Sequence, residues 1–304
     1  MVFSDKLEVF YVLNFKPKGI ILVLLVLLSL IFVAGCTNGA DPSEPGNASK
    51  EVSIGYVLWD SEIASTNVLK TVYEQAGYTV ELKAVDAGPL YQAIADSRID
   101  MSISSWLPAT QAHYWETYGD SIDMVGKNLL GAKIGLVVPT YVTINSIDEM
   151  NSVADKFGKT ITGIEPGAGI MSATEKAIEE YDLDYTLLAS SSAGMAAQLT
   201  KAYETKEWIV VTGWTPHWKF ARFDLKYLED PKGIFGDEEY IASIARMGLK
   251  EENPDAYAIL KRFSWETADM ESVMLAIEGG EKPEAAAQAW VDANQDAVSY
   301  WING

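Results

Sequence analysis

Hydrophobic positions follow two different rhythms along this chain. From residue 51 onward, short apolar runs of strand length alternate with segments whose apolar residues recur at helical spacing. Strands are predicted at 52–57, 79–85 and 100–104, with helices over about 63–76 and 90–96 between them. The same order returns with strands at 160–164, 185–189 and 208–212 and helices at about 171–181 and 195–203. Strands that alternate with helices of this length imply parallel α/β sheets, because each helix carries the chain back to begin the next strand in the same direction. Two such units, joined by apolar strands at 134–138 and again near 241–247, predict a two-lobed clamshell with two hinge crossovers. Lobe 1 is 51–138 plus 243–304, and lobe 2 is 139–242. The last part of the chain reads as helices opened by Pro254 and Pro283, which should pack on the first lobe.

The other rhythm is the unbroken apolar run 19–34, which follows Lys16 and Lys18 and has the form of a secretion signal core. It ends in Val33-Ala34-Gly35-Cys36, where small residues before the chain's one cysteine resemble a lipoprotein cleavage site with Cys36 as the acylated residue. A membrane anchor or an ordinary signal with an incidental cysteine is the alternative; either places the body outside the cytoplasm. Residues 1–35 then form a lipoprotein signal peptide. Residues 36–50, rich in Gly, Pro, Ser and Asn, form a flexible tether that includes a formal glycosylation sequon at Asn47.

Charge narrows the partners. Lys and Arg number 23 against 43 Asp and Glu, a net charge of −20 that repels nucleic acid phosphates and anionic lipid headgroups. Enzymatic chemistry lacks parts: the only histidines are His113 and His217, and neither GxSxG nor HExxH occurs, so no catalytic residue, metal ligand or cofactor is assigned. Asp60 and Glu62 stand where the first helix opens and read as capping and dipole partners.

Candidate chemistry gathers at the carboxyl ends of the predicted strands, where parallel sheets bind ligands. Trp59 follows the first strand, Trp106 the third, and Trp214 the third strand of the second unit. Ala87-Gly88 precedes Trp106 much as Ala193-Gly194 precedes Trp214, which is either a true repeat or convergence of two α/β units. Indole faces attract cations and can cage quaternary ammonium, but placement alone leaves a packing role equally open. Trp115, Trp208, Trp265, Trp290 and Trp301 are assigned to packing, and Trp218 fits either role. Opposite this cluster, Glu165-Pro166-Gly167-Ala168-Gly169-Ile170-Met171-Ser172 joins a strand to a helix, so the N–H groups of Gly169 and Ile170 could meet an anion at a helix N-terminus. By itself such a turn is as often merely tight.

Four stretches, Gly55-Tyr56-Val57-Leu58-Trp59-Asp60-Ser61-Glu62, Ser105-Trp106-Leu107-Pro108, Gly163-Ile164-Glu165-Pro166-Gly167-Ala168-Gly169-Ile170-Met171 and Thr212-Gly213-Trp214-Thr215-Pro216-His217-Trp218, resemble the glycine betaine/proline betaine-binding proteins of ABC importers. The resemblance runs from 51 almost to 304. It implies a type II periplasmic-binding-protein fold and a protein that delivers a betaine to a permease. It also implies that Trp59, Trp106 and Trp214 surround a trimethylammonium group while the amides of Gly169 and Ile170 hold the carboxylate. Some relatives place a carboxylate-binding histidine where Gln111 stands here, so Gln111 is a further candidate and ligand preference could differ. A choline- or carnitine-binding protein, or a ligand-binding sensor, is the alternative.

Overall fold

The structure is a computed structural model, and it describes residues 50–304. The signal peptide, Cys36, Asn47 and all of the tether but Lys50 lie outside the described residues. Among the described residues no helix is long and apolar enough to cross a membrane.

The chain opens with β1 (Glu51–Tyr56), α1 (Asp60–Gln75), β2 (Thr79–Ala84), α2 (Ala87–Ala95) and β3 (Met101–Leu107). β1 pairs in parallel with β2 on one side and β3 on the other. β3 is buried along its whole length, which its composition MSISSWL permits because the small serines pack where larger polar side chains could not. A short helix, α3 (Ala112–Tyr118), leads into β4 (Ile122–Pro139). The second unit supplies β5 (Thr160–Thr162), α4 (Gly169–Glu180), β6 (Thr186–Leu188), α5 (Ser192–Thr205) and β7 (Val211–Thr215), with β5 parallel to both β6 and β7. After α6 (Lys219–Arg222) and β8 (Leu225–Tyr227), β9 (Glu239–Arg246) returns to the first unit.

The strand at 134–138 is only the end of a much longer element. β4 has 18 residues: Ile122–Ala132 pair antiparallel with β9, while Lys133–Val137 pair with β7 and Val137–Pro139 with β8. The partner changes at Gly131, whose φ of +80° lies in the left-handed region that glycine enters without a Cβ clash. The register shift between Leu130 and Ala132 is the matching bulge. β9 pairs with β3 and with the first half of β4 over its whole length, so by its pairing it belongs with the first unit. The sheet order is therefore β2-β1-β3-β9-β4-β7-β5-β6, with β8 beside β4. Parallel pairs lie toward the outside, as the alternation predicts; the two joining strands add antiparallel pairs at the centre, which alternation could not reveal.

The terminal helices α7 (Leu249–Glu252), α8 (Pro254–Arg262), α9 (Thr267–Glu278), α10 (Pro283–Ala293) and α11 (Gln295–Asn303) pack on the first unit, chiefly against α1. Val68, Leu69, Val72 and Tyr73 of α1 are wholly buried, and the Tyr73 hydroxyl donates to the Ala256 carbonyl at 2.7 Å. Pro254 opens α8 because the first helical N–H needs no partner there, and the Asn253 side chain accepts from Ala256 N–H. Trp265, Trp290 and Trp301 pack on one another, the last two stacked at 5.7 Å, so their assignment to packing agrees with the structure.

Candidate functional site

The ends of β1, β3 and β7 and the start of α4 meet at one cavity. Its wall is formed by Trp59, Trp106 and Trp214, by Ile134 and Ile164, and by Thr110, Ala168, Gly169 and Ile170, around about 290 Å3 of empty space. The three indoles are only 5%, 2% and 4% exposed. Trp59 is the N-cap residue of α1, whereas Trp106 and Trp214 are still within their strands, one residue from the end. Both units therefore contribute rings to one space, and the cavity-lining surface carries no carboxylate, imidazole or thiol.

α4 faces this cavity with its N-terminus. Among the described residues, the N–H groups of Gly169 and Ile170 meet no acceptor, while those of Met171 and Ser172 turn back to the Ala168 carbonyl. Two amides at the positive end of a 12-residue helix are thus left facing the cavity. Gly169 has a second reason to be glycine. A Cβ there would lie 1.9 Å from the carbonyl oxygen of Thr110, on the other unit, and backbone cannot swing aside as a side chain can.

Carboxylates stand behind the rings. The Trp106 indole N–H donates to Glu62 at 2.8 Å, and the Ser104 hydroxyl donates to the second oxygen of the same carboxylate at 2.6 Å. The Trp59 indole N–H donates to Glu165 across the two units. Asp60 accepts from the Trp218 indole at 2.8 Å and from Ser192 at 2.7 Å, again joining the first unit to the second. Of the reading of Asp60 and Glu62 as capping and dipole partners, the capping half is corrected, since α1 has no side-chain cap hydrogen bond; both acids do stand in its first turn. Their carboxylates turn to these indole partners instead of to the backbone amides, because a buried carboxylate needs donors and Trp N–H groups supply them. Trp218, left undecided by sequence, anchors Asp60 instead of lining the cavity.

The environment decides which of these groups carry charge. Burial raises Glu62, and the hydrogen bonds from Ser104 and Trp106 offset this only in part, leaving it at about 7. For Asp60 burial is outweighed by its contacts with His217, Trp218 and Ser192, which hold it well below the usual carboxylate range. Burial pushes His217 down to about 4, helped by the nearby Lys219. Its Nδ1 accepts the Lys219 N–H at 3.2 Å, so the neutral ring carries its proton on Nε2, which faces Asp60 at 3.5 Å. Lys219 itself is fully buried, and its ammonium lies 4.1 Å from the Trp214 ring centroid with no hydrogen-bond partner among the described residues.

Of the sequence-predicted residues, Trp59, Trp106, Trp214, Gly169 and Ile170 are brought together at the cavity. Gln111 is not among its lining residues: its side-chain oxygen accepts from the Trp106 N–H at 2.9 Å and from the Tyr91 hydroxyl at 3.0 Å, fixing the strand end that carries Trp106. His113 is exposed against Tyr114. Thr110, Ile134, Ile164 and Ala168 were not assigned to the site from the sequence, although the last two lie in the stretch that joins β5 to α4, because nothing local marks their side chains; only the meeting of the units makes them lining. Among the described residues no cluster of His, Cys, Asp or Glu could hold a metal ion.

Comparisons with known proteins point one way. The family described as the substrate-binding domain of ABC-type glycine betaine transport systems matches residues 50–293. The glycine betaine/carnitine transport binding protein GbuC of Listeria monocytogenes is 47% identical over 188 residues, 60% of this chain and 63% of its own length, so the match spans less than two thirds of that relative. A solved lactococcal OpuAC, in a closed conformation complexed with glycine betaine, is 47% identical with a TM-score of 0.81, covering 84% of this chain and all of that one. A solved glycine/betaine/L-proline-binding protein (ProX) of Borrelia burgdorferi is 38% identical with the same TM-score, covering 83% of this chain and 96% of its own.

Proposed function

This chain belongs to the family of substrate-binding domains of ABC-type glycine betaine transport systems, and from that membership we propose that it captures glycine betaine or a close relative outside the cytoplasm and presents it to an ABC permease. The observation that carries this reading is the pairing, in one cavity, of three indoles with two unpartnered amides at the head of α4. A quaternary ammonium has no N–H to donate, so it gains from electron-rich ring faces, about 0.5 to 2 kcal/mol each. The carboxylate of the same molecule accepts from the amides of Gly169 and Ile170 and lies at the positive end of the helix dipole. In this reading the site binds and does not catalyse: the one lining hydroxyl, that of Thr110, has no carboxylate or imidazole beside it on the cavity wall to activate it, and a permanently methylated ammonium has no proton to exchange.

Choline would fill the indole end but leave both amides unmet, and carnitine would place extra length and a hydroxyl in a small apolar cavity. The order of affinity expected is glycine betaine and proline betaine first, then carnitine, then choline. Titration calorimetry of the purified protein against these four ligands tests it. Choline binding as tightly as betaine would overturn the amide half of the reading. In this proposal Gln111 acts through Trp106 and Tyr91, and Cys36 carries the lipid that keeps the protein at the outer face of the membrane.

A further inference from the structure

Charged groups stand just behind two of the cavity's three indoles within the same unit, and they differ in sign. Glu62, wholly buried, accepts the Trp106 N–H at 2.8 Å. Lys219, also wholly buried, has its ammonium 4.1 Å from the centre of the Trp214 ring, and it is not among the residues that line the cavity. The Trp214 N–H, unlike that of Trp106, has no partner among the described residues. Neither charge touches the space a ligand would fill; each touches the ring that does.

We propose that Glu62 and Lys219 are positioning residues that set the cation affinity of the site through the rings, Glu62 raising it at Trp106 and Lys219 lowering it at Trp214. The inference rests on the betaine-binding reading and extends it to the residues that determine its strength. The physical reason has two parts. A carboxylate that accepts an indole N–H pushes electron density into the ring and adds its own negative charge a few ångströms from the bound ammonium, in surroundings that screen little. An ammonium stacked on a ring already occupies part of its attraction for cations and repels a second positive charge on the ring's other side. Such an arrangement would tune affinity while leaving the shape of the cavity untouched, which suits a carrier that must also let its ligand go.

The surroundings of both groups keep their charges responsive. Glu62 is faced by Ser61 and Ser65 from its own helix and by Ser104 and Trp106 from β3, and it ionises near pH 7. Lys219 faces Asp60 from α1 and His217 from the turn after β7; burial pushes it down to about 7 against the pull of Asp60. Glu62 is thus mostly ionised at pH 8, and Lys219 mostly charged at pH 6, where His217 is neutral.

The test uses substitutions expected to act in opposite directions and a ligand pair that differs only in charge: glycine betaine and tert-butylacetate, in which carbon replaces the ammonium nitrogen. By calorimetry at pH 8, Glu62→Gln should weaken betaine binding about tenfold and change tert-butylacetate binding by less than about twofold. At pH 6, Lys219→Met should tighten betaine binding about threefold and leave tert-butylacetate unchanged. Thermal unfolding of each variant establishes that it is folded. Equal losses for both ligands in Glu62→Gln, or weaker betaine binding in folded Lys219→Met, would reduce these residues to packing and overturn the proposal. Wild-type protein that binds no betaine would sink the underlying functional reading instead, and this inference with it; betaine binding that is normal in wild type and unaltered in both variants would sink this inference alone.

Discussion

Trp106 meets several demands at once. Its ring faces the cavity, its indole N–H is held by Glu62, and its backbone N–H is held by Gln111. A side chain fixed at both ends loses little further freedom when a ligand arrives, which favours tight binding. Replacing any of Trp59, Trp106 or Trp214 by Ala removes a cation-attracting face and part of the contact area, so betaine binding should weaken by about 1 to 3 kcal/mol in each case. Calorimetry on the three variants checks this; wild-type affinity in all three would refute the cage. At Trp106 the loss should also leave Glu62 without an indole donor, so this variant is expected to unfold at a lower temperature than the other two.

At the scale of elements, the decisive meeting is between α4 and the loop after β3. Hydrogen bonds cross from one unit to the other around this meeting: Trp59 to Glu165, Trp218 and Ser192 to Asp60, and the Tyr114 hydroxyl to the Gly167 carbonyl at 2.8 Å. We propose that they close the cleft once ligand is in place. Gly169 is where closure is least tolerant, since the Thr110 carbonyl occupies the space a Cβ would need. Gly169→Ala should therefore hold the units apart, lower betaine affinity at least tenfold, about 1.4 kcal/mol, and leave the ligand-free melting temperature unchanged or slightly raised, because alanine suits a helix better than glycine does. In small-angle scattering, the wild type should contract on adding betaine while this variant should not. A variant that contracts and binds normally would show that the close approach is not needed for capture.

For the molecule as a whole, we propose a clamshell that hinges at Gly131, where β4 changes partners, and in the stretch before β9. Closure by rotation about two strands is economical because each half keeps its own helices and core. The proposed tether would hold this body near the membrane while leaving it free to turn toward a permease. If Cys36 carries the anchor, Cys36→Ala should move the protein from the membrane fraction to the soluble fraction, with betaine affinity unchanged; continued membrane association would assign the anchoring to the apolar run instead.

The sequence by itself determined much here, and the reasons are local. Strand and helix periodicity marks most elements within a few residues, since each element buries one face or stripe against its neighbours. The placement of the three indoles and the glycine turn was legible because parallel strands deliver their ends to one edge of a sheet, but placement left packing equally open, and their roles as cation cage and anion site came from the resemblance to betaine-binding proteins. What only the tertiary structure decided depends on contacts between residues far apart in the chain. The length of β4 and its change of partners, the approach of Thr110 to Gly169, and the placement of Gln111 behind Trp106 instead of at the cavity are of this kind. So are the roles of Asp60 and Glu62, which read as ordinary helix-opening acids until β3 and the turn after β7 bring indole donors to them. An acid's neighbours along the chain say where it starts, but its charge and its work are set by what the fold buries beside it.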